Sequence, residues 1–283
     1  MLESLDQTNI GSLTLEDRKE YEFPFDPSQE LSVEEKQRIL EMIRKTRTNS
    51  FGSPVGQWSD FRYWASGAAL VFPEETEKLG LDEQIFNLNE AIIQERKLKT
   101  PFGLARNLRA IKTLFPQRFR ELNIGQEEWE ILKKRTDEVR NSNDWKDNFE
   151  ILASMSIIFP ERIDELVFNE DELNNMRNEV NKELDHPSLC YLYAQRAANF
   201  KLFCPAKAIN LVPEQRGKHL REHFQEWRRR YQEGNWILFP EYVANLKILS
   251  AEQIKITNNG FEFVMPNNFA KPPAPPIPEM RKF

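Results

Sequence analysis

The chain has 283 residues, 40% hydrophobic and 30% charged, with 10 glycines, 2 cysteines and a net charge of −6. That length suffices for one large domain or two small ones, with a sizeable core, and two cysteines do not indicate a disulfide framework. No apolar run approaches the ~18 residues of a membrane span, and there is no Gly-rich phosphate loop, G-x-S-x-G or C-x-x-C.

Residues 1–35 carry ten acidic side chains against Arg18 and Lys19, a net of −8, so the remaining 248 residues sum to +2. Residues 1–30 hold Pro24 and Pro27 without sustained periodicity and read as an acidic, mostly disordered leader. They show neither a basic n-region nor an apolar h-region, so the cytoplasm is the expected compartment. A nearly neutral body argues against a uniformly basic nucleic-acid surface.

Beyond the leader one phrase recurs. TLFPQRFREL at 113–122 and IIFPERIDEL at 157–166 stand 44 residues apart, with further copies ending at Leu79 and Leu211 and a degenerate one ending at Ile256. Their anchor column is Phe72, Phe115, Phe159, Phe203, Ser250, spaced by 43, 44, 44 and 47 and always preceded by an aliphatic residue. Fourteen residues before the anchor lie Trp58, Trp145 and Trp236 in three of five copies. Matching columns so far apart mark a repeating unit.

Each unit predicts two helices. Ser32 with Glu35, Asp82, and Asn169 with Glu172 are N-terminal caps. Helical stripes follow, such as Trp129, Leu132, Thr136, Val139 and Leu173, Met176, Val180, Leu184. The second helix runs to the anchor and breaks at Pro73, Pro116 and Pro160, because proline lacks an N–H and disfavours helix in the preceding residue. The Trp column is expected in the core rather than as a stacking platform. The fold class is therefore all-α, an α-solenoid-like array of about five helical hairpins over residues 31–256. Alternation in Gln253–Thr257 and 261–265 around Asn258-Asn259-Gly260 predicts a β-hairpin over 253–265. Residues 266–283 form a Pro-rich tail that favours polyproline II.

A helical hairpin with this period resembles HEAT and armadillo repeats in length and layout. The L-F-P-E-R corner also looks like one found in uncharacterised bacterial helical-repeat proteins. The resemblance implies a non-enzymatic protein–protein interaction scaffold or adaptor, with another protein as partner and no cofactor. HEAT-like folds also include alkylpurine DNA glycosylases, which makes a nucleic-acid binder the alternative.

Three stretches are candidate sites. Arg228, Arg229 and Arg230, with Arg216, Lys218 and Arg221, make one helix basic. Set against Glu214, Glu222, Glu226 and Glu233, they read first as a solvated face or a landing place for the acidic leader. Pro275, Pro276 and Pro278 followed by Arg281 resemble a peptide read by an aromatic groove, with a plain disordered terminus as the equal alternative. His219-Leu220-Arg221-Glu222-His223 matches the H-x-x-E-H zinc motif of inverzincins, the remote basis for a zinc hydrolase. Without a second motif to supply the third ligand, the pair is expected to flank a buried stripe of Leu220, Phe224, Trp227 and Tyr231, and no metal is expected. Cys190 and Cys204 read as small buried hydrophobes.

Overall fold

The computed structural model describes residues 26–48, 54–79, 88–98, 100–142, 144–146, 148–182, 190–208, 214–234, 239–257 and 260–265. A four-residue helix α1 (Pro27–Glu30) precedes five helical pairs. These are α2 (Val33–Thr48) with α3 (Pro54–Val71), α5 (Leu88–Leu98) with α6 (Pro101–Leu114), and α8 (Gln126–Ser142) with α9 (Asn148–Ile158). The last two are α10 (Glu170–Lys182) with α11 (Cys190–Phe203), and α13 (Glu214–Gln232) with α14 (Phe239–Ser250). Short helices α4 (Pro73–Glu77), α7 (Pro116–Glu121) and α12 (Pro205–Ala208), and a 3-10 turn at Ile163–Glu165, follow the corners. Strands β1 (Gln253–Thr257) and β2 (Gly260–Val264) pair antiparallel, Ile254 opposite Phe263 and Thr257 opposite Gly260. The all-α fold with a C-terminal β-hairpin agrees with the sequence reading.

Local chemistry places the starts and stops. Ser32 Oγ accepts the N–H of Glu35 at 3.2 Å while the Glu35 carboxylate accepts the N–H of Ser32 at 2.7 Å, a complete capping box. Asn169 and Glu172 make the same reciprocal pair at 2.9 and 2.8 Å. Asp82 lies outside the described residues. At the stops, Phe72, Phe115 and Phe159 leave helical geometry after donating a last N–H four residues back at 2.7–2.8 Å, and the prolines that follow cannot continue the ladder.

The register of the last two corners differs from the sequence alignment. Cys204 donates to the Phe200 carbonyl at 2.7 Å and Ala251 to Lys247 at 3.0 Å, so they, not Phe203 and Ser250, stand where the phenylalanines stand elsewhere. The extra residue before Pro205 shifts the fourth corner by one position. Trp58 and Trp145 are both 1% exposed, as expected of core; Trp236 lies outside the described residues.

The second helix of each pair faces inward, and together these helices close a ring. Helix α3 packs on α6, α6 on α9, α9 on α11, α11 on α14, and α14 returns to pack on α3. Curvature is set by packing rather than by pattern, so the periodicity is equally compatible with an open stack. Lysines tie neighbours together at the ring's C-terminal end. Lys112 of α6 donates to the Ile157 carbonyl of α9 at 2.6 Å, Lys201 of α11 to Leu249 of α14 at 2.6 Å, and Lys247 of α14 to Val71 of α3 at 3.0 Å. Each ammonium meets carbonyls left free at a helix C-terminus, where a positive charge is favoured. The third of these bonds spans the closing seam. Gly67 marks the same seam, since a Cβ there would lie 2.8 Å from the Pro240 backbone.

The seam is also latched on the outside. Arg228 of α13 grips Glu35 of α2 through two hydrogen bonds of 2.6 and 2.7 Å, and Gln232 adds a third at 2.9 Å. Beside it Gln225 donates to Glu30 of α1 at 2.8 Å. The β-hairpin touches α6, and Phe263 takes the Lys247 ammonium over its ring at 5.3 Å, which sets the hairpin beside the C-terminal corners.

Candidate functional site

The five inner helices run parallel, so residues at equal distance before their corners share a level on the axis. Nine or ten positions before the corner stand Arg62 (α3), Arg106 (α6), Glu150 (α9), Gln195 (α11) and Glu241 (α14), one polar side chain from each helix. Five or six positions before it stand Ser66, Arg109, Asn199 and Asn245. All nine line one cavity of about 80 Å³. Its volume holds several waters or a small ion. Leu70 and Thr113 form its floor and also line a wider groove of about 840 Å³ beneath the β-hairpin.

The upper level is satisfied internally except at Arg62 Nε. Arg106 and Glu150 form a bidentate pair at 2.6 and 2.7 Å, with side chains 33% and 18% exposed. Glu241 accepts from the Tyr191 hydroxyl and from Gln195, both at 3.0 Å. Arg62 donates to Asn107, which also accepts the Trp58 indole N–H at 2.8 Å. Burial pushes the Glu241 carboxyl above the usual carboxylate range and nearby Glu150 adds to it, outweighing its two hydrogen bonds. Burial, then Glu241, likewise raises the Tyr191 phenol.

The lower level is not. Arg109 reaches across the axis and donates Nη1 to Asn199 Oδ1 at 2.9 Å. Among the described residues it has no carboxylate within ion-pair distance. Burial pulls its guanidinium below its ordinary pKa, while Glu150 and Glu241 act in the opposite direction from farther away. Asn245 is only 5% exposed, and its Nδ2 has no hydrogen-bond partner; Ser66 Oγ is likewise buried and unpartnered. Leaving a buried donor unmade costs about 1–3 kcal/mol. The cavity thus presents an under-coordinated cation and an amide donor to whatever occupies it, beside a carboxyl whose pKa burial raises.

The candidates drawn from sequence sit elsewhere. Arg228 is in the seam with Glu35; Arg229 pairs with Glu226 and Glu233, and Arg230 with Glu226. Arg216 falls in α13. Part of the acidic N-terminal region does land on this helix, through Glu30 and Glu35. His219 points to solvent beside Glu222, while His223 packs between Trp227 and Tyr242 at ring distances of 5.5 and 5.7 Å. Burial lowers the His223 pKa. No group of three His, Cys, Asp or Glu able to hold a metal occurs among the described residues, and no described helix is long and apolar enough to cross a membrane. Cys190 is buried and Cys204 half-buried, and neither forms a disulfide. Pro275, Pro276, Pro278 and Arg281 lie outside the described residues.

The axial residues were missed by motif reading, although they leave a signal. Ten of the eleven residues of helix α9 are buried, so its one charged residue, Glu150, has to answer to something on the axis. A polar residue nine or ten places before every corner is that signal repeated five times. The chain matches no protein-family model, no curated protein and no solved structure.

Proposed function

We propose that this protein is a non-enzymatic binding protein whose working site is the axial cavity, where a small polar ligand completes the hydrogen bonding of Asn245 and Ser66. The observation that carries the reading is the unpartnered Asn245 amide, 5% exposed, on a cavity to which every inner helix contributes. Native folds pair nearly all buried polar groups, and a cavity with convergent polar groups is the usual form of a ligand site. A thermal-shift screen of the intact chain against small polar metabolites tests it. Compounds should raise the wild-type melting temperature and leave an Asn245→Leu variant unmoved. If none acts on the wild type and Asn245→Leu is simply more stable, the axis is only imperfectly packed core.

A second reading keeps the scaffold, a cytoplasmic adaptor built on HEAT- or armadillo-like repeats that holds another protein. It is favoured by the groove of about 840 Å³, where Phe261, Phe263 and Met265 face Pro73, Phe115 and Pro116. Aromatic and proline side chains of this kind suit an extended peptide. A pull-down of the intact chain beside one lacking residues 272–283 would show whether the Pro-rich tail or the groove captures a partner. Nucleic-acid binding through α13 finds less support, because Arg228, Arg229 and Arg230 all have carboxylate partners.

A further inference from the structure

We infer that the axial ligand is a small oxyanion, a carboxylate or a phosphate, seated against Arg109, Asn245 and Ser66. The inference rests on the axial-binding reading and adds the ligand's charge and class. Three observations carry it. Arg109 is the first: it lines the cavity, spends one N–H on the neutral oxygen of Asn199 and has no carboxylate within ion-pair distance among the described residues. A largely buried guanidinium with no directly paired carboxylate is costly, and a bidentate oxyanion is its geometric match.

The second is the sign of the unmet groups. Asn245 Nδ2 is a donor, and the Ser66 hydroxyl can rotate to donate. Both therefore look for an acceptor, as Arg109 does, and they come from three different inner helices: α14, α3 and α6. The third is the state of the neighbouring acids. Glu150 is held bidentately by Arg106, and Glu241 is held by Tyr191 and Gln195, so neither is turned to Arg109. With three arginines and two glutamates on the lining, the cavity has a surplus of positive charge before anything binds. The volume of about 80 Å³ admits a phosphate or a short carboxylate.

The experiment uses the intact chain dialysed into Tris chloride. Sodium phosphate, sodium acetate and the neutral isostere acetamide are titrated separately at ionic strength matched with sodium chloride, and melting temperature and binding heat are followed. Phosphate, acetate or both should bind saturably and raise the melting temperature, with acetamide without effect. Phosphate alone identifies a tetrahedral ligand, acetate alone a carboxylate. Arg109→Gln should weaken anion binding at least tenfold while leaving the anion-free protein as stable or more stable, and Arg109→Lys should retain part of the affinity. No saturable response to either anion overturns the inference, as does an unchanged response in Arg109→Gln. If acetamide binds and the anions do not, the ligand is neutral and only the charge assignment falls. The axial reading itself falls separately, on the Asn245→Leu screen.

Discussion

Gly67→Ala changes stability in opposite directions in a closed ring and in an open stack. In an exposed or loosely packed helix, alanine is favoured over glycine by about 1 kcal/mol through backbone entropy. Here the added Cβ meets Pro240 C and O at 2.8 Å and Glu241 N at 3.0 Å. Non-bonded carbons attract only beyond roughly 3.5 Å, so α3 and α14 would have to separate by about 0.7 Å. The obstructing atoms are backbone, which cannot turn aside as a side-chain tip would. Overpacking of this kind costs about 1–3 kcal/mol. Net of the helix-propensity gain, the variant should lose up to about 2 kcal/mol in equilibrium urea unfolding of the intact chain, read as a lower midpoint at unchanged slope. A gain near 1 kcal/mol would mean that α3 and α14 do not touch, and the ring would be open.

Trp145→Ala removes a 1% exposed indole packed on Phe168 and should cost about 3–5 kcal/mol by the same assay; a loss below ~1 kcal/mol would place the residue outside the core. Glu35→Gln tests the outer latch through pH. Burial raises the Glu35 carboxyl, but its bonds to Arg228, Ser32 and Gln232 outweigh that and leave its folded pKa below the ordinary value. A depressed carboxylate contributes stability above its unfolded pKa, near 4.3, and loses it as pH falls through the folded pKa. The wild type should therefore exceed Glu35→Gln in stability at pH 7, with the gap closing below about pH 4.5; a pH-independent gap would remove the charged latch.

The local pieces of this fold were legible because each is written within a few residues. Ser32 and Glu35 announce a cap three residues apart, and Phe-Pro announces a stop in two. The burial of Trp58 and Trp145 follows from a single period. The fourth corner slipped by one because Cys204 intervenes between Phe203 and Pro205, and matching letters favoured the phenylalanine over the hydrogen-bonding position; the degenerate fifth has no Phe-Pro to fix its register. The site was hidden for a different reason. Arg62, Arg106, Glu150, Gln195 and Glu241 share no residue type, only a distance from the corner, and a search for motifs compares types. The Lys112, Lys201 and Lys247 bonds were equally silent, since each lysine caps a neighbouring helix rather than its own.

Ring closure and the site are one problem, because the groups left unpaired on the axis come from both sides of the seam. Ser66 belongs to α3 and Asn245 to α14, helices at opposite ends of the sequence that meet only where the ring shuts. In an open stack these donors would face water and lose nothing, so their unmet bonds exist only in the closed state. A ligand that satisfies them binds the closed ring and not the open one, and stabilises closure in proportion to its occupancy. Whatever loosens the seam must then weaken the ligand by linkage, while damage elsewhere need not. Gly67→Ala forces α3 away from α14 and should lower anion affinity as well as stability. Trp145→Ala injures the core beside Phe168, on the opposite arc of the ring, and should lower stability while its folded fraction binds as the wild type does. Equal losses of affinity in the two variants would show that the site depends on overall stability and not on the seam.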